Sequence, residues 1–210
     1  MPSSCTVGNI TYCAYRAYLT VAPPGAPTGV TATQVGDELQ VSWTPNLANP
    51  ATITSSTITA TPAGDIYYVS LASSYLARVD ISTGASTVID PPTPQQGARR
   101  VWSDSKGRLW ISEWNSGQVS VYDPAQKAWK QWKLPGNSPH TYAVYVDETD
   151  RIWLTDFSAN AIVRFNPATE KFESFPSSES GAAVRQLHGR PGEAWGAESG
   201  NNRLVMIPTK

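Results

Sequence analysis

Between Gly97 and Pro135 the apolar positions fall into four short blocks, ARRVWS, RLWISE, QVSVYD and AWKQWK. Each is rich in β-branched or aromatic residues, the side chains that suit a pleated, half-buried surface. Turn formers separate the blocks: Asp104-Ser105-Lys106-Gly107, Asn115-Ser116-Gly117 and Asp123-Pro124-Ala125. Glycine supplies positive φ in such turns, and Asp or Asn bonds back to its own backbone. The pattern predicts four strands joined by tight turns. No window sustains a 3.6-residue period, and 17 prolines and 15 glycines interrupt the chain throughout, so an all-β protein is expected.

The meander repeats. Trp110, Trp153 and Trp195 stand at one point of GRLWISE, DRIWLTD and GEAWGAE, 43 and 42 residues apart, and Tyr67 lies 43 residues before Trp110. Asp80, Asp123 and Asn166 each fall 13 residues after their aromatic. A four-stranded unit with a period in the low forties marks a propeller blade. Residues 63–210 are therefore expected to form a partial β-propeller of about three and a half four-stranded blades. The first unit shows three strands (IYYVSL, YLARVD, STVID), the second and third are complete, and the last shows three (AVRQLH, EAWGAE, RLVMIP).

Residues 1–62 form a separate N-terminal segment. The stretch from Ala26 to about Pro62 alternates through Val30, Ala32 and Gln34, then Leu39, Val41 and Trp43, with Gly36-Asp37 as a hairpin signal. It resembles the first three strands of a fibronectin type III domain, Trp43 matching that family's early tryptophan, and implies a partial β-sandwich. Cys5 and Cys13 flank Gly8-Asn9 in an expected hairpin, and two cysteines are too few for a CxxC-type metal site. A disulfide in an oxidising compartment and two free thiols both remain open. Asn9-Ile10-Thr11 matches a glycosylation acceptor. The formal net charge of −1 supplies no field for nucleic acid or an acidic membrane, and no apolar run approaches the roughly 18 residues of a membrane span. MPSSCTVGNITYC lacks the features of a signal peptide. The expected location is extracellular or at the cell surface if the native protein is exported.

Successive repeats place equivalent positions around one channel mouth. Glu113, Asp156 and Glu198 each follow their tryptophan by three residues, with Ser70 in the first unit. Such a ring suits a hard cation, or each carboxylate pins a neighbouring backbone. Arg100 and Arg185 precede their tryptophans by ten residues, and Arg99 adds a third cation. They suit a carboxylate or carbonyl of a small-molecule or peptide ligand, or a salt bridge to the acidic ring. His140 and Tyr142, in SPHTYAV, open the third unit.

The segments GRLWISEWNSGQVSVYDP, SPHTYAVYVD, DRIWLTDFSANAIVRFNPAT and RPGEAWGAESGNNRLVMI resemble the virginiamycin B lyase (streptogramin lyase) family. That resemblance implies a seven-bladed propeller type, of which this chain matches half. It also implies elimination at the ester of a cyclic depsipeptide, with a histidine in a Pro-His pair, a second histidine one blade later as general base, and glutamates placing a magnesium ion. His140 matches the first histidine, and Glu113, Asp156 and Glu198 are the metal candidates. In register with His140 one unit on stands Ala182, with Val184 the nearest alternative, and neither takes a proton. His188 aligns with Ser103 and Val146 and reads as a strand residue. A carbon–oxygen lyase, a non-enzymatic propeller binding a ligand, carbohydrate or protein, and a structural fragment are the functions expected. A half ring bares apolar faces, with Tyr67, Val69 and Val79 at one end and Trp195, Leu204 and Met206 at the other, which predicts a homo-oligomer. In a closed dimer the segment from Thr52 to Ala60 would lend a missing strand.

Overall fold

A computed structural model describes the backbone of residues 5–7, 10–12, 28–35, 38–44 and 56–60, and backbone and side chains of residues 65–209. Two hairpins come first: β1 (Cys5–Val7) pairs with β2 (Ile10–Tyr12), and β3 (Thr28–Val35) with β4 (Glu38–Thr44). Cys13 and Asn9, and with them any disulfide or glycan, lie outside the described residues. Four antiparallel sheets follow, each a meander in chain order. Blade 1 is β5 (Ser56–Ala60), β6 (Ile66–Ser70), β7 (Tyr75–Val79) and β8 (Ser86–Ile89). Blade 2 is β9 (Ala98–Ser103), β10 (Leu109–Glu113), β11 (Gln118–Asp123) and β12 (Ala128–Lys133). Blade 3 is β13 (Thr141–Val146), β14 (Ile152–Asp156), β15 (Ala161–Asn166) and β16 (Lys171–Pro176). Blade 4 has three strands, β17 (Val184–Arg190), β18 (Glu193–Glu198) and β19 (Arg203–Pro208). The leading strands β5, β9, β13 and β17 lie side by side. The chain is all-β and forms a partial β-propeller.

Blade 1 differs from expectation. It has four strands, because Ser56–Ala60 pairs along its whole length with β6. The strand expected as third in a fibronectin-like sandwich thus completes a blade instead, and β3 and β4 form a two-stranded sheet of their own. The Thr-rich sequence STITA suits any half-buried strand, so its pattern alone did not say which sheet it joins.

Period-two alternation explains the core. Leu109 and Ile111 point from β10 towards blade 1, where they meet Tyr67 and Val69. Trp110 points the other way and packs with Val144, Leu154 and Phe165 of blade 3. Trp153 repeats the arrangement against Val184, Leu187 and Ala194 of blade 4. Trp110 and Trp153 are fully buried. Trp195, expected to match them, is only half-buried, because no fifth blade stands beyond β18 among the described residues. The expected bare face of blade 1 is also corrected: Tyr67, Val69 and Val79 are all buried, the first two against blade 2. At the other end Leu204 and Met206 are 74% and 43% exposed.

A carboxylate locks each buried tryptophan. Trp110 Nε1 donates to Asp104 Oδ2 at 2.9 Å and Trp153 Nε1 to Asp147 Oδ2 at 2.7 Å. The same side chains cap their turns, Asp104 Oδ1 accepting from Lys106 N and Arg108 N, and Asp147 Oδ1 from Thr149 N and Arg151 N. In blade 4, Gly189 pairs with Ala194 as Ser103 does with Leu109, so Arg190 stands where the aspartate would be, and a Cβ on Gly189 would lie 2.4 Å from the Tyr145 hydroxyl. Glu193 takes the Trp195 indole instead, at 2.7 Å.

Candidate functional site

The ends of β10 and β14 and the starts of β9, β13 and β17 meet on one side of the arc. Trp114 directly follows Glu113 at the end of β10, and Phe157 follows Asp156 at the end of β14. Trp114 N donates to Gly97 O and Phe157 N to His140 O, so the two aromatics leave their blades in equivalent ways. Trp114 lies 4.9 Å from the His140 ring, 5.4 Å from Phe157 and 5.9 Å from Tyr142, centroid to centroid. Tyr142 stacks on Phe157 at 5.0 Å and 19°. The Arg99 guanidinium lies 3.6 Å from the centre of the Tyr142 ring and Arg100 lies 5.6 Å from it, while Arg185 reaches within 5.9 Å of Phe157. The expected ligand residues Arg99, Arg100, Arg185 and Tyr142 and the expected catalytic residue His140 are thus gathered into one half-open patch. Trp114 and Phe157 belong with them, and the sequence does signal them, as the residue after each Trp-x-x-acid.

His140 has a defined tautomer. Ser158 Oγ donates its single proton to Ser138 O at 2.7 Å. At 2.7 Å from His140 Nδ1 it can therefore only accept, so the neutral ring carries its proton on Nδ1. Nε2 keeps a lone pair and can act as a hydrogen-bond acceptor or base. Burial pushes the Tyr142 phenol up, but a hydrogen bond from Arg99 and the charges of Arg99, Arg100 and Arg185 outweigh it, and its pKa lies below the usual value. Burial, aided by the like charge of Arg99 and opposed by Tyr142, pulls Arg100 below the ordinary arginine value.

The three expected metal ligands are buried, but each is engaged separately by neutral donors. Glu113 accepts from Ser116 Oγ at 2.6 Å and Gln131 Nε2 at 3.1 Å. Burial raises its pKa, although the bonds from Ser116 and Gln131 pull the other way. Asp156 Oδ1 accepts from His140 N at 3.1 Å and Ser158 N at 2.9 Å, and Glu198 from Ser177 Oγ at 2.8 Å. Among the described residues no three Asp, Glu, His or Cys side chains come together as a metal site. The set does not fit a resident magnesium ion, because buried carboxylates satisfied by hydroxyls and amides have fewer lone pairs to offer a hard cation.

Strand pairing shifts the register of blade 4 by one residue. Thr141 pairs with Asp156 and Val184 with Glu198, so the counterpart of His140 is Ala183 rather than Ala182. Ala182 matches Pro139, which packs so tightly over Gly117 that a Cβ there would lie 2.3 Å from Pro139 O. Ala182 lines a shallow cleft between blades 3 and 4, together with Asp156, Phe157 and Glu198 among others. His188 pairs with Trp195 as Trp102 pairs with Trp110 and Tyr145 with Trp153, not as Ser103 and Val146 do. Its ring meets Trp102 at 5.4 Å and Tyr145 at 6.0 Å, which makes it part of an aromatic cluster of the leading strands.

No family model matches this chain, and no curated protein does. Solved structures do. A streptogramin B lyase superposes with a TM-score of 0.64 at 17% identity, covering 72% of this chain and 53% of that one. A catalytically inactive virginiamycin B lyase from Staphylococcus aureus with quinupristin gives 0.69 at 18% identity, covering 89% and 71%. YCF48 bound to D1 peptide gives 0.59 at 16%, covering 83% and 55%. The chain spans about half the length of the first of these, and what it shares with all three is the β-propeller fold.

Proposed function

We propose that this chain is the ligand-binding part of a propeller, and that its binding surface is the patch formed by Trp114, His140, Tyr142 and Phe157 with Arg99, Arg100 and Arg185. The ligand is a small molecule or a peptide with a planar ring. The observation that carries the reading is Trp114: half-buried, it stands within 6 Å of three other rings contributed by blade 3. Partly open aromatic faces beside guanidinium groups suit a flat apolar group with a polar edge. The two similar propellers solved with quinupristin and with a peptide support such a role. Aromatic probes should perturb tryptophan fluorescence saturably, and Trp114→Ala should weaken that binding at least tenfold. Unchanged affinity in W114A would remove the patch as the surface.

A second reading is a carbon–oxygen lyase of the virginiamycin B lyase type, favoured by His140, whose Nε2 keeps a lone pair when Nδ1 bonds Ser158. His140 Nε2 would take the proton from the carbon next to the one bearing the ester's alkyl oxygen, and the C–H pair would form a C=C bond as the C–O bond breaks. The carboxylate would leave with the arginines placed to take its charge. With alanine at 182 and 183, the second histidine of that family's pattern has no counterpart here. We therefore expect no magnesium-dependent opening of a streptogramin B ring. Turnover that vanishes in His140→Ala would establish the second reading instead.

A further inference from the structure

We propose that Ser158 is a positioning residue that fixes the neutral His140 ring with Nε2 as a hydrogen-bond acceptor. The patch then selects a planar ring that carries an O–H or N–H donor at its edge. The proposal rests on the patch being a binding surface and names the class of ligand it takes.

Three consecutive residues at and just beyond the end of β14 set His140. Asp156 Oδ1 accepts from His140 N at 3.1 Å and from Ser158 N at 2.9 Å, which ties both backbones to one carboxylate. Phe157 N donates to His140 O. Ser158 Oγ then lies 2.7 Å from Ser138 O and 2.7 Å from His140 Nδ1. A carbonyl only accepts, so the one hydroxyl proton goes to Ser138 O and the ring proton sits on Nδ1.

The repeats give the direction of that hydroxyl independently. Ala98 pairs with Glu113 as Thr141 pairs with Asp156, so Asn115 is the counterpart of Ser158, Gln95 of Ser138 and Gly97 of His140. In blade 2, Asn115 Nδ2 donates to Gln95 O at 3.0 Å. The same carbonyl position thus takes a side-chain donor in a blade with no ring beside it. In blade 4, where Val184 pairs with Glu198, the counterparts are Gly200 and Ala183, so neither hydroxyl nor ring is present. The device belongs to blade 3 among the described residues.

What Nε2 offers differs from the rest of the patch. Arginine only donates, and the Tyr142 oxygen already accepts from Arg99. His140 supplies the acceptor. Its half-buried ring lies 4.9 Å from Trp114, centre to centre, within reach of the edge of a flat ligand packed on that aromatic.

The test uses the full chain in mildly alkaline buffer, where imidazole is neutral. NMR of the imidazole nitrogens should show the His140 proton on Nδ1, with His140→Gln assigning the signals. Ser158→Ala, on an exposed side chain, should melt like the wild type and move the proton to Nε2. Ser158→Thr, which keeps the hydroxyl, should hold it on Nδ1. Titrations followed at the Trp114 indole compare p-cresol with its methyl ether, which still accepts from arginine but donates nothing. The phenol should bind roughly three- to tenfold more tightly. S158A should bring the two to near parity, and S158T should keep most of the preference. A wild-type His140 protonated on Nε2 overturns the role of Ser158. Equal binding of phenol and ether, or a preference undiminished in S158A, overturns the selection while leaving the binding surface in place. No saturable change with either probe overturns the binding surface and the selection together.

Discussion

Replacing Asp147 with alanine tests how the blades are held. Asp147 is buried, and its carboxylate accepts four hydrogen bonds, from Thr149 N, Thr149 Oγ1, Arg151 N and Trp153 Nε1, at 2.7–3.0 Å. D147A leaves the Trp153 indole N–H without an acceptor inside a fully buried site, at a cost of about 1–3 kcal/mol. The turn donors are nearer the surface and recover water, so their loss adds about 0.5–1 kcal/mol each. The sum is about 2.5–6 kcal/mol, which for a chain of this size lowers Tm by about 5–24 °C. Thermal unfolding followed by circular dichroism reads the shift. Glu193→Ala, the matching change in blade 4, should cost clearly less, because Trp195 is half-buried and water replaces the lost partner. A D147A protein melting within about 2 °C of the wild type, or an E193A loss as large as that of D147A, would refute the assignment of Asp147 as the lock of its blade.

Burial raises the Glu113 pKa above its unfolded value, so its contribution is most favourable at low pH and is lost as pH rises through the folded pKa. Glu113→Gln should therefore gain stability relative to the wild type at pH 7 and lose that gain in acid, a comparison that denaturant melts at the two pH values will check. Gly117→Ala should destabilise strongly, because φ is +63° there and the new Cβ would meet Pro139 O at 2.3 Å, and reduced melting temperature or loss of soluble protein reads this. The exposed Leu204 and Met206 on β19 lead us to expect a dimer or larger assembly by light scattering, shifted towards monomer by a Leu204→Lys, Met206→Lys double change.

The blades were legible because the tryptophans keep their spacing and must be buried to pack one sheet on the next. The first blade's leading strand was not, because STITA follows a stretch whose alternation fits a sandwich equally well. Counting residues placed Ala182 opposite His140, whereas seven residues separate His188 from Trp195 and eight separate Trp102 from Trp110, and that difference moves the register by one. Arg100 and Arg185 were found from a shared repeat position, which a propeller turns into shared space, Arg99 as their neighbour, and His140 and Tyr142 from the SPHTYAV segment that opens the third unit. The carboxylates share positions equally well, but nothing in their spacing reveals that local hydroxyls and amides would satisfy each of them. Trp114 and Phe157 escaped notice because large aromatics read as core until the structure shows them only half-buried.

The central claim is that the Trp114–His140–Tyr142–Phe157 patch binds a ligand. Two-dimensional NMR of the full chain during titration with phenylacetate tests it most directly, since each tryptophan gives its own indole N–H signal. The account predicts saturable shifts for the Trp114 indole and the His140 ring, with the buried Trp110 and Trp153 indoles unmoved. Shifts centred on Trp195 and β19, or none at Trp114 at millimolar ligand, would contradict it.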